Sequence, residues 1–136
     1  MKCQDFKNLF EQFVVSPTQK ARESKKYLEW CRHMNICSEC SDWYQMKIVQ
    51  SRGADPAKYP CVHVAYHSVL ECDIHKDAWE CADTMLVREK NVFGLPVRDG
   101  GGSFIEINFC PWCGIKLSGF KRPTGRSRGR AQAARP

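Results

Sequence analysis

Cysteine is the residue that most constrains this chain. Nine occur among 136 residues, and two pairs stand at knuckle spacing, Cys37-Ser38-Glu39-Cys40 and Cys110-Pro111-Trp112-Cys113. An odd count cannot pair completely within one chain. The first fifteen residues carry Asp5, Lys7 and Glu11 and lack the apolar stretch of a secretory signal. The expected setting is therefore a reducing cytoplasm, where thiols persist and disulfides are rare. Metal binding follows as the expected use of the cysteines. Wholly apolar runs are as short as Phe13-Val14-Val15, so no segment is expected to span a bilayer.

The knuckle at Cys110 is the stronger of the two signals. A strand leads into it, and Gly114 with Ile115-Lys116-Leu117 follows it. Glycine takes the conformation that turns neighbouring amides toward sulfur, and the tight turn sets two thiolates at adjacent corners of a tetrahedron. Redox motifs of the same spacing open a helix, which the Gly114 return argues against. The remaining ligands must come from elsewhere. Cys72-Asp73-Ile74-His75 has the same spacing, Cys61-Val62-His63 is a closer pair, and Cys81 and His67 stand alone. Cys3 and Cys31 fall on helix faces, where a cysteine serves as a small buried hydrophobe.

The rest of the pattern gives an α+β chain: an N-terminal helical hairpin followed by a small antiparallel β domain. Phe6, Leu9, Phe10, Phe13 and Val14 repeat as one face of a helix over residues 4–15. Ser16-Pro17, with Gln19 completing a capping box, predicts a second helix from Pro17 to about Met34. Its inward stripe would be Ala21, Tyr27, Leu28, Cys31 and Met34. Residues 1–50 thus form a helical extension, and the Gly- and Pro-bearing stretch 51–60 a connector. Within 61–120, strands are predicted at Val62–Tyr66, Thr84–Arg88, Val92–Val97 and Ser103–Phe109. In the last, Ile105, Ile107 and Phe109 alternate with polar residues. Asp99-Gly100-Gly101-Gly102 supplies the hairpin turn between the last two.

Charge divides the chain sharply. Six of its 21 Lys and Arg lie in the last sixteen residues and all 15 acidic residues stop at Glu106, so residues 1–120 are neutral overall. The segment 121–136 lacks aromatic and branched aliphatic residues and is expected to be disordered alone. Its Lys121, Arg122, Arg126, Arg128 and Arg130 suit phosphate contact without base readout.

Two stretches, "CVHVAYHSVLECDIHKDAWECAD" and "GLPVRDGGGSFIEINFCPWCGIKL", carry a resemblance over about sixty residues, from Pro60 to Arg122. In order and spacing they resemble a family of small, functionally uncharacterised proteins of bacteria and their phages. That family has a Cys-x-x-His element, then Cys-Pro-Asp, then His-Asp-Gly-Gly, then Phe-Cys-Pro-Trp-Cys-Gly. Ala82 stands here where the family has proline, and Arg98 where it has histidine. The resemblance implies a zinc-ribbon-like module. It also ranks Cys72, His75, Cys110 and Cys113 as the main ligands, with Cys61 and Cys81 as the nearest substitutes. A second zinc would draw on Cys37 and Cys40, joined by Cys61 or His63, or by His33 with Cys31.

Four protein ligands close a zinc site and leave no position for a reactive water. The function expected is therefore non-catalytic binding, and the setting of the family that the chain resembles implies a zinc-stabilised, phage- or prophage-type adaptor or inhibitor. It would act in the host cytoplasm on a host protein or nucleoprotein complex, with Trp112 as a partner anchor. The alternatives are a nucleic-acid-binding protein using the basic tail, and a zinc-braced nuclease-like enzyme with His63, His67 or His75 as base or ligand.

Overall fold

A computed structural model describes residues 1–120; the tail residues Lys121, Arg122, Arg126, Arg128 and Arg130 lie outside the described residues. The described chain is α+β, with the helices first and a three-stranded antiparallel sheet after them.

Helix α1 covers Cys3–Asn8, and a π-helical turn covers Glu11–Val15. The expected periodicity buries Phe6, Leu9 and Phe13 together. The second helix departs from expectation. Ser16 closes the π turn, and the capping oxygen comes from Thr18, whose Oγ1 accepts from Ala21 N–H at 3.1 Å. Helix α2 then ends after one turn, Gln19–Arg22. Ser24 is the cause of the break. Its hydroxyl donates to Ala21 O at 2.6 Å and accepts from Tyr27 N–H at 3.1 Å, so it ends α2 and caps α3 at once. Helix α3 runs Lys25–Ile36 with a phase of its own. Leu28, expected inside, is 64% exposed, and Trp30 takes the buried position. Its indole stacks on Phe6 with centroids 4.7 Å apart and donates to Phe6 O at 2.9 Å. Cys37 separates α3 from α4, Ser38–Ser51. Phe6, Leu9, Phe13, Ala21, Trp30 and Cys40 form the helical core, with Tyr27, Cys31 and Met34 packed against it.

The connector holds a short 3-10 turn at Pro56–Lys58, capped by the Asp55 carboxylate. The strand expected at Val62–Tyr66 is a helix, α5, Val62–Val69. Consecutive Val64 and Ala65 are both fully buried, which an alternating strand cannot achieve and a helix packed on α4 can. After an irregular stretch, β1 (Val87–Glu89), β2 (Val92–Pro96) and β3 (Phe104–Ile107) pair in the order β1-β2-β3. The register sets Arg88 opposite Phe93 and Phe93 opposite Ile107. The predicted turn joins β2 to β3: Gly100 has φ +83° and Asp99 Oδ1 accepts Gly101 N–H at 2.9 Å. Gly94 is required in β2, because a Cβ there would collide with the Phe104 ring. Ile105 and Phe109, expected on the buried stripe, are exposed, and Ile107 alone of the three packs inward. A second core gathers Val64, Leu86, Phe93, Cys110 and Leu117. Among the described residues no helix is long and apolar enough to cross a membrane.

Candidate metal centres

All nine cysteines are free thiols, and eight of them fall into three tight clusters with histidine. The clusters are Cys3-His33-Cys37-Cys40, Cys61-His63-Cys110-Cys113 and Cys72-His75-Cys81, each with its ligand atoms within 4.8 Å of one another.

Local structure explains each grouping. In the first, α1 contributes Cys3 from its first residue, the last turn of α3 contributes His33, and the α3–α4 junction contributes Cys37 and Cys40. Cys3 Sγ lies 3.9 Å from Cys37 Sγ, and His33 Nε2 lies 3.3 Å from Cys40 Sγ. The second cluster is built on the knuckle. Cys110 N–H donates to Ile115 O and Gly114 N–H to Cys110 O, both at 2.8 Å, while Phe109 bridges to Lys116. Gly114 has φ +74°, as the turn requires. The start of α5 brings Cys61 and His63 against it, with Cys61 Sγ 3.6 Å from Cys110 Sγ. In the third, Cys72 Sγ lies 3.2 Å from His75 Nδ1, with buried Cys81 alongside.

The expected quartet of Cys72, His75, Cys110 and Cys113 does not assemble among the described residues. The x2 spacings each hold as pairs, but Cys110 and Cys113 meet Cys61 and His63, whereas Cys72 and His75 meet Cys81. Cys37 and Cys40 meet His33, as one alternative had it, but their third sulfur is Cys3 and not Cys31. Cys31 packs against the helical core, the role expected of both. Sequence spacing gave no signal for Cys3, which stands 30 residues from its nearest cluster partner, His33.

The distances fit a tetrahedral thiophilic ion. With metal–sulfur bonds of about 2.3 Å and metal–nitrogen bonds of about 2.0–2.1 Å, tetrahedral edges are about 3.8 Å between sulfurs and about 3.5 Å from sulfur to nitrogen. Observed separations of 3.6 and 3.9 Å between sulfurs, and 3.2 and 3.3 Å from sulfur to nitrogen, lie near those edges. They are far from the roughly 2.05 Å of a disulfide.

Protonation gives a second sign. Burial pushes the Cys61 thiol up to about 12. Burial likewise raises Cys40 to about 12, helped by the Cys3 and Cys37 thiols. Cys37 is lowered, chiefly by the backbone amide of Cys40. At Cys113 burial pushes upward, but the Ile115 amide and the Cys110 and Cys61 thiols outweigh it and the net shift is down. At Cys72 the amides of His75 and Ile74, then the His75 ring, lower the thiol to about 7. Backbone amides thus stabilise one thiolate in every cluster, while the buried thiols need a cation to ionise.

His63 supplies the clearest orphan. Its Nε2 lies 3.1 Å from the Asp42 carboxylate on α4, and its Nδ1 is buried without a hydrogen-bond partner. A carboxylate on one ring nitrogen leaves the other as the ligand, the arrangement common at metal-bound histidines. Trp112 packs over this site, stacked on His67 at 4.2 Å and on His63 at 6.3 Å, with 39% of its surface exposed. Burial, then the neighbouring His63, lowers the pKa of the His67 ring beneath the indole.

Residues 58–126 match the model of a family described as a domain of unknown function (DUF6980), and the chain belongs to that family. No curated protein and no solved structure matches it.

Proposed function

We propose that this family member is a non-catalytic binding module, stapled by zinc, whose groove beside the Cys61 centre docks a host protein or nucleoprotein complex. The first two clusters each offer three thiolates and one imidazole, a soft donor set suited to zinc. With four protein ligands apiece they are closed, so the metals brace the fold and hold no reactive water. The Cys61–Cys113 centre, held by the knuckle, acts as a ribbon-like brace between α5 and the sheet.

The observation that carries the docking role is the groove. Its lining includes Met34 and Ile36 from the end of α3, Asp42 and Gln45 from α4, and His63 and Trp112 from the metal site. The cavity measures about 370 Å³. Ile36 is 76% exposed, and Trp112 is half-exposed but immobilised from behind by His67. A fixed indole loses little entropy when a partner covers it. Gln45 Oε1 is buried without a partner, an acceptor ready for an N–H of the bound segment. The sequence resemblance supplies the phage or prophage setting, and with it the reading as an adaptor or inhibitor in the host cytoplasm.

The test is native mass spectrometry of the intact chain recovered from its bacterial host, compared with Trp112→Ala. The expected result is a co-purifying protein lost in the variant at unchanged zinc content. A partner retained by Trp112→Ala, or a chain recovered free of both zinc and partner, would overturn the reading. The charge of the last sixteen residues favours nucleic acid as a second partner. Truncation after residue 120 then flattens the salt dependence of any nucleic-acid affinity. A nuclease-like role is less well supported, because His63 and His75 are both taken up by the clusters and His67 by Trp112.

A further inference from the structure

We infer that Cys72, His75 and Cys81 form a third metal site of a different kind, with three protein ligands and one coordination position open to an exchangeable external donor. The inference rests on reading the clusters as metal sites, but not on the docking role. The three ligand atoms lie within 4.8 Å of one another, as in the two four-ligand clusters. Among the described residues no fourth Cys, His, Asp or Glu joins them, although Glu71, Asp73, Asp77 and Asp83 are near in sequence. Residues 121–136 contain none of these residue types.

The site is built, although its loop has no helix or strand. Arg98, at the start of the β2–β3 turn, holds that loop by its carbonyls. Its Nη1 donates to Trp79 O at 2.7 Å and to Ala78 O at 3.5 Å, and its Nη2 to Thr84 O at 2.6 Å. The Asp77 carboxylate accepts Trp79 N–H at 2.9 Å, Thr84 N–H donates to Cys81 O at 3.2 Å, and the Trp79 ring lies against Phe104. Cys81 is thus fixed and buried from below. On the other side the amides of His75 and Ile74 face the Cys72 sulfur.

Two thiolates and an imidazole balance a divalent ion to neutrality, whereas three thiolates leave a net negative centre. A neutral centre with three protein ligands still accepts a fourth. In the isolated protein that donor is water. It is replaceable by a small anion, an imidazole or a thiolate, and the metal here exchanges faster than at the closed centres.

Cobalt(II) substitution of the full-length chain tests this. The expected loading is three ions per chain by native mass spectrometry. Azide or imidazole then alters the ligand-field bands of one ion in three, and a chromophoric chelator removes one ion per chain in a fast phase. Cys81→Ser, and independently the rim variant His75→Ala, each lose one ion together with the azide response and the fast phase. Two ions per chain in the unmodified protein would overturn the third site and leave the two closed centres standing. Three ions with no response to azide or imidazole would overturn the open position. No bound metal at all would overturn the third site and the zinc reading together.

Discussion

At the candidate Cys61 centre, the Asp42 carboxylate, on a neighbouring helix, lies 3.1 Å from His63 Nε2 and leaves the unpartnered Nδ1 as the candidate ligand atom. Asp42→Ala removes that hydrogen bond without touching a ligand. Loss of such a supporting carboxylate typically weakens metal binding about 10–100-fold. The expected outcome is that loss at one centre only, read by competition with a graded chelator; an affinity at the Cys61 centre unchanged from the parent's would remove Asp42 from the account. Tyr44 gives a second residue-level test. Burial, then neighbouring Tyr66, raises its phenol from the ordinary 10.0 to about 12. A neutral acid whose folded pKa is raised stabilises the fold below its unfolded value, and that contribution is lost as pH rises through the folded value. Stability should therefore fall from pH 10 toward about 12, and Tyr44→Phe should flatten that fall in urea midpoints. A variant as alkali-sensitive as the parent would contradict the assignment.

Single side chains also decide the elements. Ser24 breaks the expected 17–34 helix in two because its hydroxyl serves both new ends. Ser24→Ala should cost roughly 0.5–2 kcal/mol, seen as a lower urea midpoint with unchanged slope, as expected for a lost N-cap. An unchanged midpoint would mean that water replaces the hydroxyl at no cost. The same scale shows what the sequence makes legible. Glycine chemistry at residues 99–102 and alternation around Ile107 marked the β2–β3 hairpin, because both signals are local. The run Val62–Tyr66 alternates too, but five residues cannot separate strand from helix. Burial of adjacent Val64 and Ala65 against α4 decides it, and that contact is not written in the local sequence. The first turn of α5 also carries His63 to the knuckle, so the cluster depends on that same long-range contact.

At the scale of the whole described chain, the candidate metal ligands thread both cores. Cys40 belongs to the helical core and Cys110 to the core around the sheet, so each centre ties distant segments to its own core. The knuckle was readable because its two sulfurs share one turn. Its partners were not, because Cys61 lies 49 residues from Cys110, and only the packing of α5 brings them together. That dependence makes the two cores unequal without metal. The helical core keeps the Phe6–Trp30 stack, the Trp30 hydrogen bond and a ring of tyrosine and phenylalanine contacts. The other rests on three short strands and five buried side chains, one of them Cys110 itself. Structural zinc in small fingers contributes on the order of 10–16 kcal/mol, as much as the whole net stability of a typical domain, about 5–15 kcal/mol. Chelation should therefore unfold residues 60–120, while α3 and α4 keep part of their helicity. Amide exchange is the direct measure: protection in β1–β3 and the knuckle should vanish on chelation and return with zinc, with smaller losses in α3 and α4. A chelated chain that keeps its sheet protection and a sharp thermal transition would show that apolar packing alone sustains this half of the molecule.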